Sequence, residues 1–333
     1  MIQRKTIHHR AKRHIGKFMV YGLLIAGSVL FISPLLWMLS TALKPIEQTM
    51  SMPPQWIPRQ AQVTIDDQVH DVSKVQVIDE QTCKVFLKDS PGQTVVVDRQ
   101  QVTKKIAPQW QNFSQAVDSM QQFPRYLTNT LILCILTVIG TVSSSALAAY
   151  GFSRIEWFGR DKVFLLVLAT MMIPFPVVMV PLYSLFKSLG WIGTLKPLWV
   201  GSFCAGAFNV FLLRQFFIGI PTQISESARL DGASEFRIFW QIILPLAKPA
   251  LVVVALFQFM GTWNDFLGPL IYLTDQEDFT LALGLQFFQS QSGGTQWHYL
   301  MAASLLVVLP IIFVFFCSQK SFIEGISMTG VKG

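Results

Sequence analysis

Charge is what this sequence lacks. Only 14% of its 333 residues are Asp, Glu, Lys or Arg, against about 25% in ordinary soluble domains, while 52% are hydrophobic and the mean hydropathy is +0.46. A single soluble core has no use for so much apolar surface. Several charge-poor stretches run for about 20 residues, enough to cross a hydrocarbon layer about 30 Å thick. Cysteine is sparse too: Cys134, Cys204 and Cys317 fall in apolar runs and Cys83 stands alone in a polar region, which excludes a disulfide framework or a cysteine metal site. The histidines (His8, His9, His14, His70, His298) do not cluster with carboxylates at ligand or triad spacing, so neither a catalytic residue nor a metal site is read. No G-x-x-x-x-G-K-[ST] phosphate loop occurs, so the chain is expected to bind no nucleotide cofactor of its own.

The charge that is present is placed. A net charge of +7 with a pI near 9.3 would point a soluble protein toward nucleic acid. Here Arg4, Lys5, Arg10, Lys12, Arg13 and Lys17 stand directly before an apolar run, where the positive-inside bias puts a topology signal; no nucleic-acid partner is expected. The charge-free stretch from Phe18 to Leu43 is longer than the hydrophobic region of a signal peptide. Six spans are predicted, at about 18–43, 127–150, 163–186, 197–213, 249–273 and 299–319. The basic tail 1–17, the loops 151–162 and 214–248 and the tail 320–333 are then cytoplasmic, and of Lys and Arg the two short outer loops carry only Lys187 and Lys196. Trp157 and Trp240 fall near cytoplasmic faces and Trp191, Trp199 and Trp297 near outer ones, as interfacial anchors do.

The outer loop 44–126 is long and polar. Val63–Ile65, Val75–Ile78, Lys84–Leu87 and Thr94–Val97 are short β-branched or alternating runs separated by turn residues, which predicts a small extracytoplasmic β-rich insertion over about 61–106. Pro53, Pro54 and Pro58 precede it and Pro108 follows. Trp110 to Met120 reads as a short amphipathic helix, and Asn112-Phe113-Ser114 matches a glycosylation sequon of a kind common by chance. Pro174, Pro176, Pro181 and Pro310 are expected to kink or interrupt spans.

Between the fourth and fifth spans stands Glu226-Ser227-Ala228-Arg229-Leu230-Asp231-Gly232, then nine residues, then Ile242-Ile243-Leu244-Pro245. Two short helices are predicted: Pro221 suits a start, Gly232 breaks the first, Ser234 caps the second and Pro245 limits it. Small residues leave part of the first helix thin enough to enter a cleft of another protein, and Glu226 and Arg229 are helical neighbours. On spacing alone, an amphipathic helix lying on the membrane surface fits as well.

This segment resembles the Glu-Ala-Ala loop of binding-protein-dependent importer permeases, E-A-A, three residues, G, nine residues, I-x-L-P, with Ser227 in place of the second alanine. Three further segments resemble the maltose-type carbohydrate permeases, the smaller membrane subunit in particular: Trp263-Asn264-Asp265-Phe266 with Pro269-Leu270, Tyr126-Leu127-Thr128-Asn129-Thr130, and the tail from Phe322-Ile323-Glu324-Gly325 through Gly330-Val331-Lys332-Gly333. The resemblance covers both sides of the insertion, about 50 residues of which the family core lacks.

It implies an all-α membrane protein of six transmembrane helices, the type I ABC importer permease fold, with the β-rich insertion between the first and second helices and a permease core over 127–319. It also implies a bacterial inner membrane, a second homologous permease subunit, an ABC ATPase dimer holding ATP and Mg, an extracytoplasmic solute-binding protein and a carbohydrate substrate. By carry-over, Glu226, Ser227, Ala228, Asp231, Gly232 and Pro245 couple to the ATPase, and Gly330, Val331, Lys332 and Gly333 reach its dimer interface.

Gln258, Thr262 and Asp265 are spaced four and three apart and are predicted to share one face of the fifth span, with Asn264 beside them and Asn209 in the fourth span as a second candidate on the substrate path. Hydrogen bonding between neighbouring spans explains them equally well. An importer for a polyol phosphate, amino acid or peptide is the alternative to a carbohydrate. An ATP-independent secondary transporter is disfavoured, since neither an internal repeat nor paired intramembrane charges are visible.

Overall fold

The computed structural model describes residues 2–65, 68–79, 81–88, 93–120, 122–288 and 295–327. Two compact units are built on residues 1–119 with 288–306, and on 120–287 with 307–333. Among the described residues four helices are long and apolar enough to cross a membrane, Gly16–Ala42, Phe123–Ser153, Lys196–Gly219 and Trp297–Gln319. Two bent pairs, Arg160–Thr170 with Phe175–Ser188 and Glu235–Leu246 with Lys248–Trp263, bring the number to six if each pair is one span. The chain is a multi-pass membrane protein.

The first unit opens with α1 (Ile2–Ala42) and α2 (Ile46–Thr49). The most apolar window of Gly16–Ala42 holds no buried residue, and burial begins only at Thr41 and Ala42. At its end the chain is locked. The Asn112 amide donates to the carbonyls of Ala42 (2.7 Å) and Lys44 (3.0 Å), satisfying carbonyls that a helix terminus leaves orphaned. Asn112 is 5% exposed, so the sequon residue is a buried brace. Lys44 is also buried, with Nζ 3.8 Å from the Trp37 ring centroid and 3.3 Å from Thr41 Oγ1; burial pushes its ammonium pKa below the ordinary value.

Five strands follow, β1 (Arg59–Ile65), β2 (Gln68–Val77), β3 (Thr82–Leu87), β4 (Thr94–Asp98) and β5 (Val102–Ile106), in the spatial order β4-β3-β2-β1-β5. All pairings are antiparallel, with Ala61 opposite Val72, Val85 opposite Val95 and Val63 opposite Val102. Alternation puts Val63, Val72, Cys83, Val85, Leu87 and Val97 into one apolar cluster. The four predicted runs fall in β1 to β4, the second passing the end of β2 by one residue, Ile78. β5 was not predicted, because Lys104 and Lys105 interrupt its apolar pattern; charged lysines are usual on an edge strand. Helix α3 (Gln111–Ser119) occupies the predicted amphipathic stretch.

The second unit holds α4 (Phe123–Ser153), α5 (Arg160–Thr170), α6 (Phe175–Ser188), α7 (Lys196–Val200), α8 (Ala207–Gly219), α9 (Thr222–Leu230), α10 (Glu235–Ile238), α11 (Leu244–Leu246), α12 (Lys248–Trp263), α13 (Leu267–Tyr272) and α14 (Leu281–Gly284); α15 (Trp297–Ser327) follows. Ala146 and Ala149 of α4, Ala250 of α12, and Val210, Leu213 and Phe217 of α8 share one buried cluster. Small residues there let helix backbones approach closely.

One expectation is met and two are corrected. The third span is broken: α5 and α6 meet at 93°, because Pro174 holds an extended conformation (φ −70°, ψ 141°) before α6 and supplies no amide hydrogen. The fourth span does not stop at 213, since α8 runs on to Gly219. Arg214 is thereby helical, its Nε donating to Phe152 O and its guanidinium 4.2 Å from the Phe164 ring centroid. The fifth span is not one helix to 273: α12 ends at Trp263 and α13 begins at Leu267.

Candidate functional site

The segment from Pro221 to Lys248 is assembled by its own sequence. Pro221 precedes α9 in extended conformation. The helix ends in a Schellman motif: Ala233 N–H donates to Ala228 O (2.9 Å), Gly232 N–H to Arg229 O (3.0 Å), and Gly232 sits at φ +80°. That left-handed position is where glycine carries no steric penalty. Ser234 Oγ accepts from Arg237 N–H and caps α10. The predicted second helix is not uniform. After α10, residues Phe239–Ile243 form a π-turn, Leu244 N–H donating to Phe239 O, before α11. Pro245, which lacks the amide hydrogen that would return to Gln241 O, lies inside α11 rather than ending the helix; the break comes at Ala247, before α12.

α9 has two sides. Ser225 is buried and Ala228 packs against the apolar cluster of the second unit, while Glu226, Ser227, Asp231 and Gly232 are exposed and Leu230 is 89% exposed. Glu226 is the helical neighbour of Arg229 but not its hydrogen-bond partner. Arg229 Nε donates to Glu235 Oε1 at 2.6 Å, across the Gly232 turn, and this hydrogen-bonded carboxylate raises the Arg229 pKa. The other carboxylate oxygen of Glu235 accepts from Tyr150 Oη of α4 at 2.6 Å. One carboxylate thus ties α9 and α10 to the last turn of α4. Sequence reasoning missed both Glu235 and Tyr150. Their only local signal was an acidic residue directly after a cap, where the helix dipole favours it.

The proposed substrate-path residues are brought together in part. Gln258, Thr262 and Asp265 line one cavity of about 150 Å³ with Leu133, Leu198, Gly261, Pro269 and Thr280; Asn209 and Asn264 do not line it. Asp265 lies beyond the end of α12, so the three residues do not share a helical face. Thr262 Oγ1 is 2.9 Å from Thr137 Oγ1 of α4 and accepts from Gln258 Nε2 at 3.0 Å, the interhelical use of polar residues. Asn264 Nδ2 donates back to Met260 O at 2.8 Å. Asp265 Oδ1 accepts from Gly268 N–H at 3.0 Å and caps α13. Trp263 is 1% exposed and its indole donates to Val307 O of α15. The Trp263-Asn264-Asp265 triplet therefore encodes a helix stop, an anchor and a restart.

The Tyr126–Thr130 segment is equally structural. Asn129 Nδ2 donates to Glu277 O and Phe279 O, and Thr130 Oγ1 accepts from Leu281 N–H. Gly284 admits the Tyr126 ring, since a Cβ there would lie 2.6 Å from it. Gly330, Val331, Lys332 and Gly333 lie outside the described residues. Among the described residues no group of three or more His, Cys, Asp or Glu could hold a metal ion.

A family model described as "Binding-protein-dependent transport system inner membrane component" matches residues 140–327. The arabinooligosaccharides transport system permease protein AraQ of Bacillus subtilis (strain 168) is 37% identical over 213 residues, covering 63% of this chain and 74% of that one. The trehalose/maltose transport system permease protein MalG of Thermococcus litoralis is 34% identical over 218 residues, covering 65% and 78%. Among solved structures, a chain of a bacterial ABC transporter involved in the import of the acidic polysaccharide alginate superposes with a TM-score of 0.69 at 18% identity, covering 93% of this chain and 97% of that one. That likeness establishes the fold.

Proposed function

We propose that this chain, which belongs to the family of binding-protein-dependent transport system inner membrane components, is the permease subunit of an ATP-driven importer for a carbohydrate. The observation that carries the reading is the 221–248 segment. A short helix with an exposed outer side is held by a glycine turn and by one carboxylate to the end of a long membrane helix, which is the arrangement of a lever. Identity of 34% and above to permeases named for arabinooligosaccharide and trehalose/maltose transport supports a saccharide cargo.

In this reading the chain spans the membrane six times, each bent pair counting once, with both termini on the cytoplasmic side of a bacterial inner membrane and the sheet of β1 to β5 outside. A second permease subunit completes the path, a solute-binding protein delivers the cargo, and an ATPase dimer binds ATP and Mg. Glu226, Ser227, Asp231, Gly232 and the exposed Leu230 meet the ATPase, and residues 330–333 approach its dimer interface. ATP-driven closure moves α9, and Glu235 passes that movement to α4. The chain itself is not an enzyme. The cavity at Gln258, Thr262 and Asp265 is smaller than the roughly 300–1,000 Å³ of ligand sites, as fits a path completed by a partner.

Disruption of this subunit in its own cell should abolish binding-protein-dependent uptake of a labelled oligosaccharide, and uptake undiminished in such cells contradicts the reading. For Asp265, the cap and the charge separate cleanly. Asn retains a capping oxygen and Ala does not, so Asp265→Ala is expected to destabilise α13 by about 1 kcal/mol and Asp265→Asn to leave stability unchanged. A several-fold rise in the KM for uptake in the Asn variant would make the carboxylate a substrate contact; an unchanged KM leaves it a cap.

A further inference from the structure

The sheet of the first unit carries a cleft of about 410 Å³, within the size range of small-ligand sites, about 300–1,000 Å³. Its floor is the apolar side of the strands, with Ala61, Val72, Val75 and Val102, and its wall is the segment after α1, with Pro45 and Glu47. Charge on the lining is one-sided: Arg59, Lys74, Arg99 and Lys104 stand against the single carboxylate of Glu47. The carboxylates of the strands themselves are engaged and off the lining: Asp71 accepts from Gln62 Nε2 and Asp98 from Gln100 N–H.

Of the three carboxamides on the lining, Gln48, Gln55 and Gln60, two give the cleft its chemistry. Gln48 is fully used, donating to Gln55 Oε1 and Ile57 O and accepting from Arg59 N–H. Gln60 is not. It is 2% exposed, and its Nε2 donates to Val72 O at 2.7 Å and Ala61 O at 3.3 Å. Two carbonyl partners fix the amide orientation, because only the NH₂ end can serve both. Oε1 is left buried and without a partner, and buried acceptors are normally satisfied. A simple carboxylate or sulfate brings acceptors alone, which suits the four cations and leaves Gln60 unserved. A ligand bearing both hydroxyls and carboxylates serves both.

We propose that this cleft binds an acidic saccharide, its carboxylates against Arg59, Lys74, Arg99 and Lys104 and a hydroxyl donating to Gln60 Oε1. The proposal rests on the reading of the chain as an importer subunit with the sheet outside, which is where such a saccharide would meet it. The cleft would then hold acidic oligosaccharide apart from the membrane path, favouring it over neutral cargo.

The test is calorimetric titration of the purified full transporter, with its partner subunits in nanodiscs, using trigalacturonic acid and the neutral maltotriose. Trigalacturonic acid is expected to bind saturably and to weaken as salt rises from about 50 to about 500 mM, as screening requires. The double variant Arg99→Gln, Lys104→Gln, at two exposed positions, should bind it at least tenfold more weakly, and Gln60→Leu should weaken it without changing the salt dependence. Binding that is indifferent to both variants, or maltotriose binding that the double variant weakens equally, overturns the proposal. Absence of trigalacturonate binding in a transporter whose ATPase still responds to its binding protein overturns the cleft and leaves the importer reading standing. If the variants impair binding-protein docking while no oligouronide binds, the sheet is a protein-docking surface and the proposal fails. Cleft binding that persists in a preparation with no binding-protein-stimulated ATPase would instead sink the importer reading.

Discussion

Replacing Gly232 with valine is expected to reduce transport and binding-protein-stimulated ATP hydrolysis at least tenfold while the chain still inserts in the membrane and assembles. The reason is torsional. At φ +80° an L-residue carries a penalty of roughly 1–2 kcal/mol, and a β-branched side chain is an outlier there. Crowding plays no part, because a Cβ at Gly232 would meet nothing within 4 Å. Valine relieves its strain only by moving the backbone, and the hydrogen bonds from Gly232 to Arg229 and from Ala233 to Ala228 are what set the direction of α9. A helix aimed a few degrees away presents Glu226, Ser227 and Leu230 in the wrong place. Asparagine, which tolerates the left-handed region, is the control: Gly232→Asn should keep most of the activity. If valine and asparagine behave alike, the conformation of residue 232 does not govern coupling.

Element by element, what could be read from the sequence followed from how local the physics is. The apolar runs, the β-rich stretch and the Gly232 turn depend on neighbours a few residues away, and all three were legible. The breaks in the third and fifth spans were half legible. Pro174 announced one. The other is written in Asn264 and Asp265, whose side chains bond to Met260 O and to Gly268 N–H where one helix ends and the next starts. Polar residues in a membrane helix are ambiguous in this way, because a cap, an interhelical hydrogen bond and a ligand contact use the same atoms. The Arg229–Glu235 pairing was hidden for a different reason: it crosses a turn, so helical spacing pointed to Glu226 instead. Tyr150 lies 85 residues from Glu235, and no local pattern could join them. The buried brace at Asn112 was equally out of reach, its partners Ala42 and Lys44 standing about 70 residues earlier.

That long-range pair carries the second large effect. Glu235→Gln is expected to leave assembly and basal ATP hydrolysis near normal and to lower the sugar moved per ATP several-fold. The Arg229 and Glu235 side chains are 40% and 43% exposed, and an ion pair so open to water is worth less than about 1 kcal/mol to the fold. Its loss therefore costs little stability. Its geometry matters more, since the same carboxylate holds Arg229 of α9 and Tyr150 of α4 at 2.6 Å each, so a displacement of α9 is passed to the membrane helix without slack. Tyr150→Phe keeps the ring, which packs edge-on against Phe239 at 5.1 Å, and removes only the hydroxyl. If the two residues act through one linkage, the double variant Tyr150→Phe, Glu235→Gln should be no worse than Glu235→Gln alone, because effects within one network do not add. Measurement of transport and hydrolysis together in proteoliposomes checks this. Effects that add, or a transport-to-hydrolysis ratio unchanged in Glu235→Gln, would mean that α9 reaches the membrane helices by another route, through Ala228 and the apolar packing beneath it.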